Sequence, residues 1–359
     1  MKREVDERLQ KLWDEGKKVF SFSKLNCFNN CEYEYFCTYI LSKRRKQNIY
    51  GELGGFIHDQ IEMLYKGETT KEDIIKAYET KMVEIELSDN LNFANEKIEN
   101  GRRADIEHFL HNFEKIDKKA ILEKFVLFEP VKDIYIQGYV DAIFPTENKK
   151  LEIIDWKTSS KFAGKKIKEA GRQLVLYKMA LESTTDYEVE RVGWYMIKYV
   201  NVCTMLKNGK VKKSMRSRRK WVEESRNVIE KELDSLGIDL FEMEMLMEKA
   251  IKDNNLDCMP EQLKNKIWLE DCIVYYDVTK EEEDELRKYI EKTVTSIDLK
   301  DNNNPDDWKG KEITKYDSFF CSQLCSMKSF CPHYKKFIEE NKDDFKPKKE
   351  KKDEFDIFA

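Results

Sequence analysis

Glycine and proline are scarce in this chain, 13 and 6 of 359 residues, while 38% of the residues are charged. That balance excludes a loop-dominated or low-complexity protein and points to long helices with solvated faces. No run of 18 apolar residues occurs, so no membrane-spanning helix is expected. The opening Met1–Glu7 has no apolar stretch, so no secretory signal is expected and the reading is cytoplasmic. The formal net charge is −5, so the molecule as a whole does not attract nucleic acid and any such binding falls to local patches. A Gly-x-x-x-x-Gly-Lys-Ser/Thr phosphate loop is also missing, which leaves the chain without an ATP-driven motor of its own.

Two short stretches carry the most information. Gly138–Phe144 and Leu151–Lys157 read as β-strands, joined through Pro145–Lys149 as a hairpin turn. Asp141 lies on the first strand; Asp155 and Lys157 lie two apart on the second and share a face. Carboxylates in so apolar a setting are costly unless compensated, and a divalent cation would compensate them. A helix follows over Gly171–Leu181, where Gln173 and Tyr177, four apart, share a face.

Strand with aspartate, turn, strand with Asp-x-Lys, helix with Gln-x-x-x-Tyr: this ordered set resembles the PD-(D/E)XK nuclease superfamily, and within it the RecB-like branch of AddB-type nuclease domains and CRISPR-adaptation exonucleases. The resemblance runs from about residue 20 to 205 and from about 275 to 335. It implies an α/β restriction-endonuclease-like core, a mixed sheet flanked by helices, forming one nuclease domain over 1–335. Within that domain, 67–125 is expected as a helical insertion and 206–275 as a basic loop with a second helical insertion. Gly54, Gly55 and His58 are similar to the family's Gly-x-x-x-His helix, which brings a histidine to the metal. The resemblance therefore implies Mg²⁺ or Mn²⁺ held by His58, Asp141, Asp155 and the backbone carbonyl of Trp156. Lys157 would orient the attacking water and steady the charge of the transition state, with Gln173 and Tyr177 positioning substrate.

Residues 1–20 read as a charged helix with Leu9, Leu12, Trp13 and Val19 as its apolar positions, and Ser23 as the N-cap of the next helix. In the charged helical stretch 67–125, Gly101 is one interruption, and His108 and His111 are surface or packing residues. Val189–Val200 reads as a core strand with Val202–Leu206 as its hairpin partner. Between Lys207 and Lys220 stand Lys207, Lys210, Lys212, Lys213, Arg216, Arg218, Arg219 and Lys220 with no acid among them, closed by Trp221. A one-sign run ending in an indole suits phosphate binding with base stacking. Residues 222–297 carry helical periodicity, with Cys258 and Cys272 as packing residues and Thr279–Glu282 as a capping box. The tail 336–359, rich in lysine and acid, reads as disordered.

Nine cysteines in a reducing compartment favour metal ligation over disulfides. Cys321, Cys325 and Cys331 fall within eleven residues and need a fourth ligand for zinc or a [4Fe–4S] cluster. Cys31 follows Ser21-x-Ser23-x-Leu25-x-x-Phe28, a pattern similar to the opening helix of RecB-like nucleases, although Glu32 stands where the family has proline. The family order, one cysteine before the core and three after it, implies an iron–sulphur staple from Cys31 to the distal three. The Cys-x-x-x-Cys spacing leaves zinc, or Cys27, Cys37 or His333 as fourth ligand, open. Closing so long a loop would stabilise by about 5 kcal/mol.

The activity implied is a metal-dependent deoxyribonuclease, an exonuclease on single-stranded DNA or DNA ends in recombination, repair or replication, with any helicase partner a separate chain. Two other readings stand beside it: a CRISPR-adaptation-like or recombination factor that trims DNA only within a complex, and a non-catalytic DNA-binding protein on the same fold.

Overall fold

A computed structural model describes residues 5–88, 91–116, 118–314 and 316–342. Along the chain run α1 (Glu7–Asp14), β1 (Lys18–Ser21), α2 (Phe22–Asn30), α3 (Glu32–Tyr35), α4 (Ile49–Lys66), α5 (Lys71–Glu86) and α6 (Glu96–Asn112). The strands β2 (Ile121–Val131), β3 (Ile134–Pro145) and β4 (Lys150–Lys157) follow, then α7 (Lys165–Thr184), β5 (Glu188–Met205) and β6 (Val211–Ser217). The chain continues through α8 (Arg226–Ser235), α9 (Leu240–Asp253), α10 (Glu261–Lys264), β7 (Ile267–Tyr276), α11 (Lys280–Asp298) and α12 (Pro332–Glu340).

All seven strands join one mixed sheet. β3 pairs antiparallel with β2 and β4 and parallel with β1. β5 runs parallel to β4 and antiparallel to β6 and β7. Strand period sends alternate side chains to opposite faces, and both faces are covered. On one, Leu151 and Ile153 pack with Leu174, Val175 and Ala180 of α7 and with Leu286 and Ile290 of α11. On the other, Ile154 and Trp156 meet Ile57 and Ile61 of α4, Tyr78 of α5 and Phe109 of α6. This is the expected α/β core of a mixed sheet between helices.

Local chemistry fixes the helix that matters most. The Asn48 side chain accepts from the Gly51 amide at 2.9 Å and caps α4, and Gly67 ends it at φ +74°, a conformation glycine adopts without strain. The Thr279 cap of α11 forms as the sequence predicts, its side chain accepting from the Glu282 amide.

Several expectations change. The first 20 residues are no single helix: α1 stops at Asp14, and Val19 sits in β1, where it pairs with Tyr135. Ser21, not Ser23, caps α2, because the chain leaves its extended geometry at Ser21. Gly101 does not interrupt α6; it lies inside the helix where a Cβ would fall 1.9 Å from Arg219 Nη1. The helical stretch ends before 121, since β2 begins there. Val189–Val200 and Val202–Leu206 form one long strand rather than a hairpin, and the true hairpin partner is β6, built from the basic run. Residues 206–275 and 222–297 are not purely loop and helix either: β7 pairs along β5, with Cys272 buried in its middle. At the C-terminal end, 336–340 continue α12, while 343–359 lie outside the described residues.

Candidate metal-dependent hydrolytic site

The site grows from a gap in the sheet. Along one edge of β3 the β4 ladder ends at Ala142–Ile154, and the β1 ladder begins only at Gln137–Ser21. Asp141 lies in that gap, one residue past the last β4 pair, with Asp155 one residue past its partner. The Trp156 amide, released from the ladder, donates instead to Asp141 Oδ2 at 3.1 Å. An unpaired strand end thus becomes a place where two aspartates stand together.

Asp155 and Lys157 share the face of Leu151 and Ile153, which looks toward α7. The Lys157 ammonium pairs with Asp155 and also donates to Gln173 Oε1 at 3.1 Å. The Gln173 amide donates in turn to the Tyr177 hydroxyl at 2.8 Å. A continuous polar chain therefore runs Asp155–Lys157–Gln173–Tyr177, and the (i, i+4) spacing of its last two members on α7 makes it possible.

From the other side, α4 delivers His58, whose Nδ1 stands 3.5 Å from Asp141 Oδ2. The same ring reaches the Trp156 main chain. Burial holds the His58 pKa below its usual value, and Lys157 adds to that while Asp155 opposes it, so the ring is a neutral nitrogen donor at neutral pH. Burial also pushes Asp141 well above the usual carboxylate range, with the neighbouring Asp155 charge as the next cause. Asp155 is only 1% exposed, and its Oδ1 has no hydrogen-bond partner among the described residues.

That orphaned oxygen tests whether a hard cation suits the place. A buried carboxylate oxygen with no donor is costly, and Asp141, His58 and the Trp156 carbonyl are the neighbouring groups that would complete a donor set around a cation there. Oxygen-rich sets of this kind suit Mg²⁺ or Mn²⁺, and a single nitrogen suits Mn²⁺ better. Among the described residues no three His, Cys, Asp or Glu side chains are already drawn in around one ion.

A family model for the PD-(D/E)XK nuclease superfamily matches residues 19–332. The chain belongs to that superfamily. The match spans both sheet strands of the site and the helix that follows them. PD-(D/E)XK nucleases generally use Mg²⁺ or Mn²⁺, in keeping with the donor set described here. No curated protein matches the chain.

One residue of this PD-(D/E)XK site escapes a reading by motif. Glu123 falls between the pairs Leu122–Ala142 and Lys124–Val140, so it stands opposite Asp141. Its backbone adopts φ +48°, uncommon for a residue with a side chain, and its charge acts on both Asp141 and Tyr177. Its sequence signal is slight: it is one of two acids, with Glu129, in the strand preceding the aspartate strand.

The four cysteines also come together. Cys31, Cys321, Cys325 and Cys331 are buried and line one small cavity. Cys27 faces a different cavity, Cys37 is buried beside Tyr35 and Phe36, and the His333 ring stacks edge-on against Tyr33. Direct contacts also hold the segment around Cys31 against residues 308–311 there. Trp308 stacks on Tyr35 and Phe36, the Lys311 amide donates to Cys31 Sγ at 3.4 Å, and the Tyr33 amide donates to the Lys309 carbonyl at 3.0 Å.

The basic run is broken up by the fold. Arg218 is 1% exposed, pairs with Asp271 at 2.8 Å and donates to the Ile197 carbonyl at 2.7 Å, so it is a core residue and not a DNA contact. Trp221 is 3% exposed and donates to the Asn254 carbonyl, which removes it as a stacking platform. Lys213 pairs with Glu270, Arg219 with Asp105 at 3.9 Å, and Lys220 with Glu224 at 3.5 Å. Lys207, Lys210 and Lys212 remain exposed at the β5–β6 hairpin, and Arg216 is half-buried.

Proposed function

We propose that this nuclease is a metal-dependent deoxyribonuclease, acting as an exonuclease on single-stranded DNA or DNA ends. The observation that carries this reading is the meeting of Asp141, Asp155, Lys157 and His58 at one break in the sheet, with Gln173 hydrogen-bonded to the lysine and Tyr177 to Gln173. Phosphodiester hydrolysis needs a charge near the attacked phosphate and a water held for attack. Lys157 carries a fixed positive charge there, and Gln173 holds its ammonium in place. Tyr177 keeps its proton, since burial raises its pKa, and so is available as a neutral donor to substrate. Asp141, Asp155, His58 and the Trp156 carbonyl would hold the cation, which when bound supplies Lewis-acid polarisation of the phosphate and a more acidic water.

The cysteine cavity supports a structural cluster, and we assign it to iron–sulphur. Four buried thiols lining one cavity, with the family-like order of one cysteine before the core and three after it, support that assignment. Lys207, Lys210, Lys212 and Arg216 are the members of the basic run that support a DNA contact. Place in recombination, repair or replication, and a separate helicase partner, belong to the same reading. The test is incubation of the purified protein with end-labelled single-stranded and duplex DNA and Mn²⁺, beside Lys157→Ala. Mn²⁺-dependent shortening from the ends, lost in the variant, supports the proposal; cleavage unaffected by the substitution refutes this site.

A further inference from the structure

Immediately before α4 the chain reads Lys43-Arg44-Arg45-Lys46. In the longer run at 207–220 the fold answers Lys213, Arg218, Arg219 and Lys220 with acids. The shorter run is different. Among the described residues none of its four cations makes an ion pair, and Arg44, Arg45 and Lys46 are exposed. Arg45 is drawn toward the Glu34 charge, but Arg44 and Lys46 stand beside it without an ion pair among the described residues, in a chain of net negative charge.

The strap is nevertheless held in one shape. The Lys43 ammonium lies 4.7 Å from the Phe330 ring centre, and Arg45 lies over the Tyr39 ring and donates to its hydroxyl at 2.8 Å. The Lys46 amide donates to the Ser326 carbonyl at 3.3 Å. These ties engage the charged heads of Lys43 and Arg45 on aromatic rings and only the backbone of Lys46, and they leave the Arg44 and Lys46 charges outward. Arg44, Arg45 and Lys46 line an open groove of about 1260 Å³. Arg45 and Lys46 also line a second hollow of about 360 Å³ next to it. The strap leads straight into the Asn48 cap of α4, and His58 lies ten residues on, about 15 Å along the helix axis.

We infer that the Lys43–Lys46 strap and its groove hold the phosphodiester backbone of DNA on its way to the His58–Asp141–Asp155 site. The occupant follows from charge: a polyanion with regularly spaced phosphates answers a row of unpaired cations, and its affinity comes from counterion release. This inference rests on the nuclease reading for the identity of the polyanion, and the test separates the two.

The experiment measures binding of a fluorescein-labelled oligodeoxythymidylate by anisotropy across a salt series, with no divalent cation added. Arg44→Ala/Lys46→Ala is compared with wild type and with Lys249→Ala/Lys252→Ala, an exposed pair on α9. Thermal melts check folding, and Mn²⁺-dependent hydrolysis of bis(4-nitrophenyl) phosphate, too small to span the strap, is measured in parallel. The strap variant is expected to bind about tenfold more weakly and to lose about 1.4 from the slope of log affinity against log salt, two single-strand contacts. Ester hydrolysis and the α9 variant should match wild type. Unchanged affinity and slope, or an equal loss in the α9 variant, overturns the strap while leaving the nuclease reading intact. Should wild type hydrolyse neither ester nor DNA while the strap variant still loses its slope, the strap stands and the nuclease reading falls.

Discussion

The backbone amide of Trp156 donates to the carboxylate of Asp141, 3.1 Å away, at the point where β4 leaves β3. The hydrogen bond ties the two strands where the ladder has ended and aims Asp141 at the place Asp155 occupies. Asp141→Asn keeps an acceptor for that amide but removes the charge. DNA cleavage should fall at least about 100-fold, with the melting temperature of the metal-free protein unchanged or higher, since a buried charge has been removed. Single-turnover cleavage and a thermal melt check both halves.

Glu123 and Asp141 face each other across β2 and β3, and the Glu123 charge helps push the Asp141 pKa up. Glu123→Gln should raise the melting temperature of the metal-free protein by a few degrees, as expected for roughly 0.5–1 kcal/mol in a chain of this size. Mn²⁺ should then give a smaller stabilisation than in wild type. Differential scanning fluorimetry with and without Mn²⁺ measures the two shifts.

Arg218 belongs to the core, not to DNA. Arg218→Ala strands Asp271 and the Ile197 carbonyl, and should destabilise the fold by about 2–4 kcal/mol. Affinity for DNA per folded molecule should stay at the wild-type value. Urea denaturation followed by binding below the transition separates the two effects.

His108 supplies a pH dependence. Burial, helped by the Arg218 charge, lowers its pKa to about 4. An unfolded histidine titrates near 6.5, so between about 6.5 and 4 the unfolded chain binds a proton that the folded chain does not. The stability from keeping this ring neutral is present above pH 6.5 and is lost as the pH falls through that window. Melting temperature should drop between pH 7 and pH 5, and His108→Gln should drop less. Equal drops would show that His108 is not the cause.

Much of the site was legible because hydrolytic chemistry restricts residue choice. Asp141, Asp155-x-Lys157 and Gln173-x-x-x-Tyr177 had to share faces at strand and helix periods, and those periods are written locally. What was not legible depended on pairing between distant segments. β7 looked helical because a strand packed along β5 needs no local turn signal, and the run 202–206 looked like a separate strand because nothing local shows that β5 continues unbroken. Arg218 and Trp221 looked like DNA contacts because Asp271 and Asn254, which bind them, lie more than 30 positions away. Glu123 escaped for the same reason: only the β2–β3 register sets it opposite Asp141.

The most direct test of the central claim is Mn²⁺-dependent degradation of end-labelled single-stranded DNA by wild type and Lys157→Ala, with DNA binding measured on the same samples. Loss of cutting by at least about 100-fold with binding retained is the predicted result. Equal cutting by both proteins would contradict it.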